Sequence, residues 1–68
     1  MSKINIFVNG KAEEVDNGVT ILDLLAKYKL NPETVVVEVN AEIKLRSEWQ
    51  AVLVSGDVLE LVRFVGGG

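Results

Sequence analysis

The sequence predicts a single α+β domain in which one helix packs on one face of a mixed β-sheet. Three observations carry this prediction: β-branched residues alternate with other residues near both ends of the chain, one apolar helical stripe lies between them, and the elements follow in the order β-β-α-β-(short β)-β. A chain of 68 residues leaves room for one domain. One helix over one sheet is a two-layer architecture that buries the apolar side of each layer.

The first predicted element is a β-hairpin. Residues 4–8 alternate, with β-branched side chains on one face and Phe7 on the other, which is the period of a half-buried strand. The Asn-Gly pair at 9–10 follows, and both central residues of a type I′ turn need positive φ, which these two residue types adopt. We therefore expect a tight turn there and a return strand over 11–15.

A helix is predicted next. Thr20 is a good N-cap, and Asp23 lies three residues on, close to a capping-box arrangement. From Ile21 to Tyr28 the apolar residues fall at i, i+3, i+4 and i+7, which places them on one helical stripe. We expect roughly ten helical residues, ended before Pro32 because the residue preceding a proline disfavours the α conformation.

The second half of the chain supplies the rest of the sheet. Residues 35–39 form a predicted strand with Val36 on the outer face, followed by a short strand around Ile43 and Leu45. Trp49 is expected to cover one end of the core after a single helical turn. Residues 58–65 are the most apolar strand, and we expect this strand to pair in parallel with the first one at the centre of the sheet. This is the β-grasp arrangement.

The chain closes on three consecutive glycines. We predict a β-grasp domain over residues 1–65 and a flexible glycine tail over residues 66–68. Glycine has no Cβ, so Gly66 and Gly67 let another surface approach closely and leave the carboxylate of Gly68 unhindered. On the tail alone, an inert frayed terminus is the simpler interpretation.

Composition argues against several classes of function. The chain has no cysteine and no histidine, so the usual zinc ligands, nucleophilic thiols and neutral-pH general bases are missing, which argues against an enzyme. A net charge of −3 argues against binding nucleic acid. No apolar run approaches the ~20 residues of a membrane span. The start of the chain lacks a secretory signal pattern. We expect a cytoplasmic protein.

Strand alternation also predicts a partner surface. If Leu59 faces the helix, alternation places Val62 and Phe64 on the opposite face of the sheet. Contiguous exposed apolar patches of this kind usually mark partner sites. Arg63 lies just before the tail, where it could pair with acidic groups around a partner's channel. Scattered apolar side chains and a solvated charge are the alternative interpretation. The predicted partner site consists of Phe7, Val36, Val62, Arg63 and Phe64.

Four segments together resemble a known family. They are the Val-Val-Val-Glu-Val-Asn run at 35–40, Arg-Ser-Glu-Trp at 46–49, Gly-Asp at 56–57, and the run at 62–68 that ends in the glycines. In this combination, over the whole chain and without an insertion, they resemble the ThiS family of sulfur carriers in thiamin biosynthesis. Ala41 stands where that family often has glycine, and Leu45 stands where it often has proline.

The resemblance implies a ubiquitin-like β-grasp protein that is a co-substrate and not an enzyme. It implies that an E1-like activating enzyme (ThiF-type) adenylates the carboxylate of Gly68 with MgATP. Sulfur that a cysteine desulfurase releases from cysteine then replaces AMP, and a thiazole synthase (ThiG-type) takes that sulfur from the resulting thiocarboxylate. The MgATP belongs to the partner, and no cofactor or metal site is expected on this chain.

Three alternatives stay open at this point. The small subunit of molybdopterin synthase (MoaD-type) shares the fold and the glycine terminus, although the segment 46–49 favours the thiamin carrier. A ubiquitin-like modifier would instead be joined to target proteins through Gly68. A β-grasp interaction module with an inert tail would use neither chemistry.

Overall fold

Residues 2–64 are described by the structure, a computed structural model, and they form one mixed sheet, one α-helix and one 3-10 turn. In chain order the elements are β1 (Lys3–Val8), β2 (Lys11–Asp16), α1 (Ile21–Lys27), β3 (Val35–Val39), β4 (Glu42–Lys44), the 3-10 turn (Arg46–Glu48) and β5 (Val58–Arg63). The strand order is β2-β1-β5-β3-β4. β1 and β5 are parallel neighbours, and the other neighbouring pairs are antiparallel. The predicted β-grasp arrangement is confirmed.

The first hairpin turns as its sequence predicts. Asn9 and Gly10 have φ values of 50° and 84°, the conformation of a type I′ turn. Val8 and Lys11 close the hairpin opposite each other, and β2 continues to Asp16, one residue beyond the predicted end. The alternation of β1 therefore places its β-branched residues under the helix and Phe7 on the other face.

The helix begins with a capping box. The hydroxyl of Thr20 accepts from the N–H of Asp23 at 3.0 Å, and the carboxylate of Asp23 accepts from the N–H of Thr20 at 3.1 Å. Two backbone donors of the first turn, which have no partner inside the helix, are satisfied in this way. Aspartate thus does here what glutamate or glutamine does more often.

The helix ends earlier than its apolar stripe predicts. It has seven residues, because Lys29 adopts φ 58° and turns the chain into the left-handed region. The N–H of Lys29 donates to the carbonyl of Ala26 at 3.0 Å, and the N–H of Leu30 donates to that of Leu25 at 2.9 Å. This is a Schellman motif, in which glycine is the usual left-handed residue. The prediction that the helix continues to the residues before Pro32 was wrong.

The core lies between α1 and the covered face of the sheet. Its fully buried side chains are Ile6, Ile21, Leu24, Leu25, Val37 and Leu59. Trp49 covers one end of this core, as predicted, and its indole N–H donates to the carbonyl of Lys44 at 3.1 Å. The polar edge of the buried indole is thereby satisfied.

The two departures from the family pattern have local consequences. Ala41 has φ 71°, a left-handed conformation that favours glycine and costs an alanine roughly 1–2 kcal/mol. Leu45 donates its N–H to the carboxylate of Glu48 at 2.8 Å, a hydrogen bond that a proline could not make.

A buried carboxylate fixes the start of β5. Asp57 accepts from the N–H of Val54 at 2.9 Å and from the side-chain amide of Asn40 at 3.0 Å. The amide oxygen of Asn40 in turn accepts from the N–H of Val58 at 3.0 Å. The central strand is therefore anchored before it enters the sheet. Within residues 2–64, no helix is long and apolar enough to cross a bilayer.

Candidate functional site

The sheet surface opposite α1, which we call the open face, holds the predicted apolar partner residues. Val36 lies directly opposite Val62 across the β3–β5 pair, and Phe7 lies beside Val58 across the β1–β5 pair. Phe64 follows β5, and its N–H still donates to the carbonyl of Thr34 at 2.7 Å. The strand alternation is as predicted. The apolar part of this face comprises Phe7, Val36, Ile43, Val58, Val62 and Phe64.

Arg63 is placed apart from the other predicted partner residues. It lies opposite Val35, whose side chain is buried beneath the helix, so Arg63 points to the covered side of the sheet. There it lines an open groove of about 570 Å³ at the end of the sheet from which the chain continues to the glycines. The structure therefore places Arg63 on the other face of the sheet from Phe7 and Val62.

The groove beside Arg63 has a mixed chemical character. Lys11 and Glu13 line one wall, and Tyr28 lines another. Burial, and secondarily a hydrogen bond with the carboxylate of Glu13, raise the pKa of Tyr28 above its ordinary value. The phenol thus stays protonated at neutral pH, which suits the packing role that the helical stripe predicts. Within the described range 2–64, no cluster of carboxylates forms a metal site.

Asn9 has a second role that the sequence did not predict. Its side-chain oxygen accepts from the N–H of Leu61 at 2.8 Å, and its side-chain nitrogen donates to the carbonyl of Leu61 at 3.3 Å. β1 ends at Val8, so the backbone of β1 is no longer beside Leu61. The side-chain amide of Asn9 makes the hydrogen bonds to Leu61 that a further residue of β1 would otherwise make. Two features of the sequence could have indicated the contact between Asn9 and Leu61. They are the asparagine of the Asn-Gly turn and the predicted parallel strand beside it.

Two acidic residues on the open face also escaped prediction as site residues. Glu38 and Glu60 lie directly opposite each other on β3 and β5, and Ile43 flanks Glu38 on β4. Both carboxylates sit among apolar side chains. The alternating runs Val-Glu-Val on β3 and Leu-Glu-Leu on β5 carry the signal, but only the register between the two strands brings the glutamates together.

The predicted reacting group falls outside the description. Val65 and the tail residues Gly66, Gly67 and Gly68 lie beyond residue 64, so the predictions for them are not addressed by these contacts. The described contacts fix how the chain arrives at that point: Asn9 holds Leu61 from one side, and Thr34 holds Phe64 from the other.

Comparison with known proteins decides the family. The sequence profile of the ThiS family matches residues 3–68. This chain belongs to the ThiS family. The sulfur carrier protein ThiS of Bacillus subtilis is 50% identical over 50 residues, which cover 72% of this chain and 76% of that protein. The family match over residues 3–68 includes the segments on which the resemblance rested.

Two further relatives of this ThiS-family chain differ in size. The crystal structure of the thiamine biosynthesis protein ThiS from Geobacter metallireducens superposes with a TM-score of 0.79 at 36% identity, covering 96% of this chain and 100% of that one. The thiazole synthase of Paramagnetospirillum magneticum is 35% identical over 66 residues, which are 96% of this chain but 20% of the synthase. This chain is thus similar to the whole of a separate small protein and to one part of a larger polypeptide.

Proposed function

We propose that this chain is a sulfur carrier protein of thiamin biosynthesis, acting in the cytoplasm. The observation that carries the proposal is the match of the ThiS family over residues 3–68, which extends through the glycines. In this proposal the chain is a co-substrate and not an enzyme, and Gly68 carries the only reacting atoms. The absence of histidine and cysteine from the sequence is consistent with chemistry that is supplied by partners.

The proposed reaction changes one carboxylate in three steps. An oxygen of the Gly68 carboxylate attacks the α-phosphorus of ATP, and pyrophosphate leaves, so that the carbonyl carbon now bears AMP as a leaving group. The terminal sulfur of a persulfide, which the desulfurase forms from cysteine, then attacks this carbon, and AMP departs with the electrons of the C–O bond. A thiol reductant cleaves the S–S bond of the acyl disulfide so formed and leaves the thiocarboxylate. The resulting thiocarboxylate donates its sulfur to the forming thiazole. The MgATP is bound by the activating enzyme, and this chain supplies no cofactor site.

Three partners follow from this sequence of steps. They are an E1-like activating enzyme of the ThiF type, a cysteine desulfurase as the sulfur source, and a thiazole synthase of the ThiG type. The similarity between this chain and a part of one thiazole synthase supports the third partner.

The tail and the folded body have separate tasks in this proposal. Gly66 and Gly67 give the carboxylate access to a narrow channel, but ordering each residue costs about 1–2 kcal/mol of backbone entropy. Docking of the body offsets this cost. The open face around Phe7, Val36 and Val62 is the surface that we assign to that docking, and Arg63 lies beside the exit of the tail.

Intact-protein mass spectrometry tests the proposal. The full chain is incubated with a ThiF-type enzyme, MgATP, cysteine, a desulfurase and a thiol reductant, and we expect one oxygen to be replaced by sulfur. A chain without Gly67 and Gly68 is the control and should keep its mass. The ThiF-type enzyme is first shown to convert its natural carrier protein. If the mass of the full chain then stays unchanged with that enzyme, the proposal is contradicted.

Two further measurements separate the alternatives. Isopeptide-linked conjugates in a cell extract would indicate a protein modifier instead. Assembly with the large subunit of molybdopterin synthase, without sulfur transfer through a thiazole synthase, would indicate a MoaD-type carrier.

A further inference from the structure

The register of the central strands brings two like charges face to face. Glu38 and Glu60 are direct cross-strand partners in the antiparallel β3–β5 pair. The N–H of Asn40 donates to the carbonyl of the opposite residue, Val58, at 2.7 Å. Hydrogen-bonded and non-hydrogen-bonded pairs alternate along an antiparallel ladder, so Glu38 and Glu60, two residues further along, are also a hydrogen-bonded pair. The two Cα atoms of such a pair lie about 5.5 Å apart with both side chains on the same face. Like charges in this arrangement destabilise a sheet.

Within residues 2–64, the surroundings of this acidic pair provide no cation that pairs with it. Among residues 2–64 there are three ion pairs, and neither glutamate takes part in any of them. The lysine of the open face, Lys3, is bound to Asp16 at the opposite end of the sheet. Most side chains around the acidic pair are instead apolar: Phe7, Val36, Ile43, Val58 and Val62. The amide of Asn40, two residues after Glu38, is engaged by Asp57 and the N–H of Val58.

We propose that the open face binds a partner protein whose apolar surface carries an arginine or lysine, and that this cation enters between Glu38 and Glu60. The inference deepens the proposed function and rests on it, because the partner is then the activating enzyme or the thiazole synthase. A guanidinium or ammonium group within reach of both carboxylates would satisfy them together through charge-assisted hydrogen bonds. The apolar side chains around them would exclude water from that contact.

Charge complementarity argues against the other occupants of this face. In a symmetric dimer the same patch meets itself, so a second copy would bring two such acidic pairs together and add to the repulsion. A calcium ion takes six to eight oxygen ligands, which two glutamates on a flat apolar surface do not provide. A cationic side chain on an apolar protein surface is the occupant that matches both the charge and the surrounding residues.

The acidic pair would also select among partners. A partner with an apolar surface but no cation would bury two unpaired carboxylates, and that desolvation cost discriminates against it. The repulsion in the free protein is thus linked to specificity in the complex. Apolar contact alone would not provide this selection.

The experiment measures binding of the full chain to the ThiF-type enzyme, and separately to the thiazole synthase, by calorimetry at low and high salt. In the test variant both Glu38→Gln and Glu60→Gln are made. The matched control carries Glu14→Gln and Glu42→Gln, which change the net charge equally on residues outside the apolar part of the open face. With at least one partner we expect the test variant to bind about tenfold more weakly and with less salt dependence, and the control to stay within about twofold of the wild type.

Two outcomes would overturn the inference. The first is binding by the test variant that is unchanged with both partners. The second is an equal loss in test and control variants, which would indicate general electrostatic steering and no local contact. The thermal midpoint of the test variant serves as a folding check, and it should not fall, since a repulsion is removed.

Failure of the proposed function gives a different result. In that case the wild-type chain gains no sulfur at saturating enzyme, whatever the two binding measurements show. If the wild type gains sulfur and the test variant binds unchanged, the carrier function stands and the acidic pair is not its recognition element.

Discussion

The two faces of the sheet use neighbouring residues of the same strands for different purposes. On the covered side, Ile6 and Leu59 are 0% exposed, whereas the adjacent residues on the open side, Phe7 and Val58, remain 42% and 44% exposed. Burying a large apolar side chain completely stabilises a fold by about 1.5–3 kcal/mol, and partial burial contributes less. The covered face therefore determines whether the chain folds, and the open face can be shaped by what binds to it.

The difference is greatest around the acidic pair. On the covered face, buried side chains such as Val37 and Leu59 add to the core, but on the open face Glu38 and Glu60 lie opposite each other at a cost to stability. A surface selected only for stability would not retain such a pair. Its presence among exposed valines is what the proposed recognition role of this face would explain.

The largest effect is expected from truncation on the covered face. Leu59→Ala removes a fully buried side chain from the central strand, and such truncations cost about 2–5 kcal/mol. Val58→Ala, one residue earlier, is the matched control and should cost under about 1 kcal/mol, because that side chain is already half exposed. Urea unfolding followed by circular dichroism measures both. Equal losses from the two substitutions would contradict the division between the faces.

Most of this division could be predicted from the sequence. The period-two alternation of residues 4–8, 35–39 and 58–65 assigns each side chain to a face, and the structure confirms the assignment for Phe7, Val36 and Val62. Physically, one buried face fixes the register, since a slip by one residue would move every core side chain into solvent. The same constraint places these three predicted partner residues on one face without any contact having to be known.

Contacts between distant residues could not be predicted in this way. The end of α1 depends on a left-handed Lys29, where sequence rules look for glycine. The opposition of Glu38 and Glu60, and the bond from the Asn9 side chain to Leu61, depend on which strands are neighbours and in which register. The alternation along one strand predicts which face of the sheet a side chain lies on. The residue beside it on the next strand depends on which strands are neighbours and on their register.

A smaller effect is expected from polar substitutions on the open face. In a variant with both Val62→Ser and Phe64→Ser, we expect the free energy of unfolding to fall by under about 1 kcal/mol, since these side chains are exposed. Affinity for the activating enzyme should fall about tenfold, which corresponds to about 1.4 kcal/mol. Calorimetric titration of the full chain measures the affinity.

The control for this pair carries Leu45→Ser and Val54→Ser. Both side chains are as exposed as those of Val62 and Phe64 but belong to the loops around the 3-10 turn and before β5. The control should bind as tightly as the wild type. If it loses the same affinity, binding depends on exposed apolar area in general and the open face has no special role.

The smallest effect is expected at the polar end of the open face, where Lys3 and Asp16 form an ion pair at 2.8 Å. The hydrogen bond from Lys3, and then its positive charge, lower the pKa of Asp16 below its ordinary value of 3.8. A carboxyl whose pKa is lower in the folded state stabilises the fold above pH 3.8, and this contribution is lost as the pH falls through the folded pKa. The hydrogen bond with Asp16 likewise raises the pKa of Lys3 above 10.5, so the contribution of Lys3 is present below that pH and is lost as the pH rises through the folded pKa.

Asp16→Asn should therefore destabilise the chain slightly at neutral pH and progressively less as the medium is acidified below pH 3.8. Both groups are exposed, so the difference should also shrink in high salt. Urea unfolding at neutral and acid pH measures it, and the Lys3→Gln variant and the double variant complete a double-mutant cycle. A coupling between the two residues that persists unchanged in acid would show that charge is not its source. A coupling that vanishes there would show that this end of the open face, unlike the end with Glu38 and Glu60, satisfies its own charges.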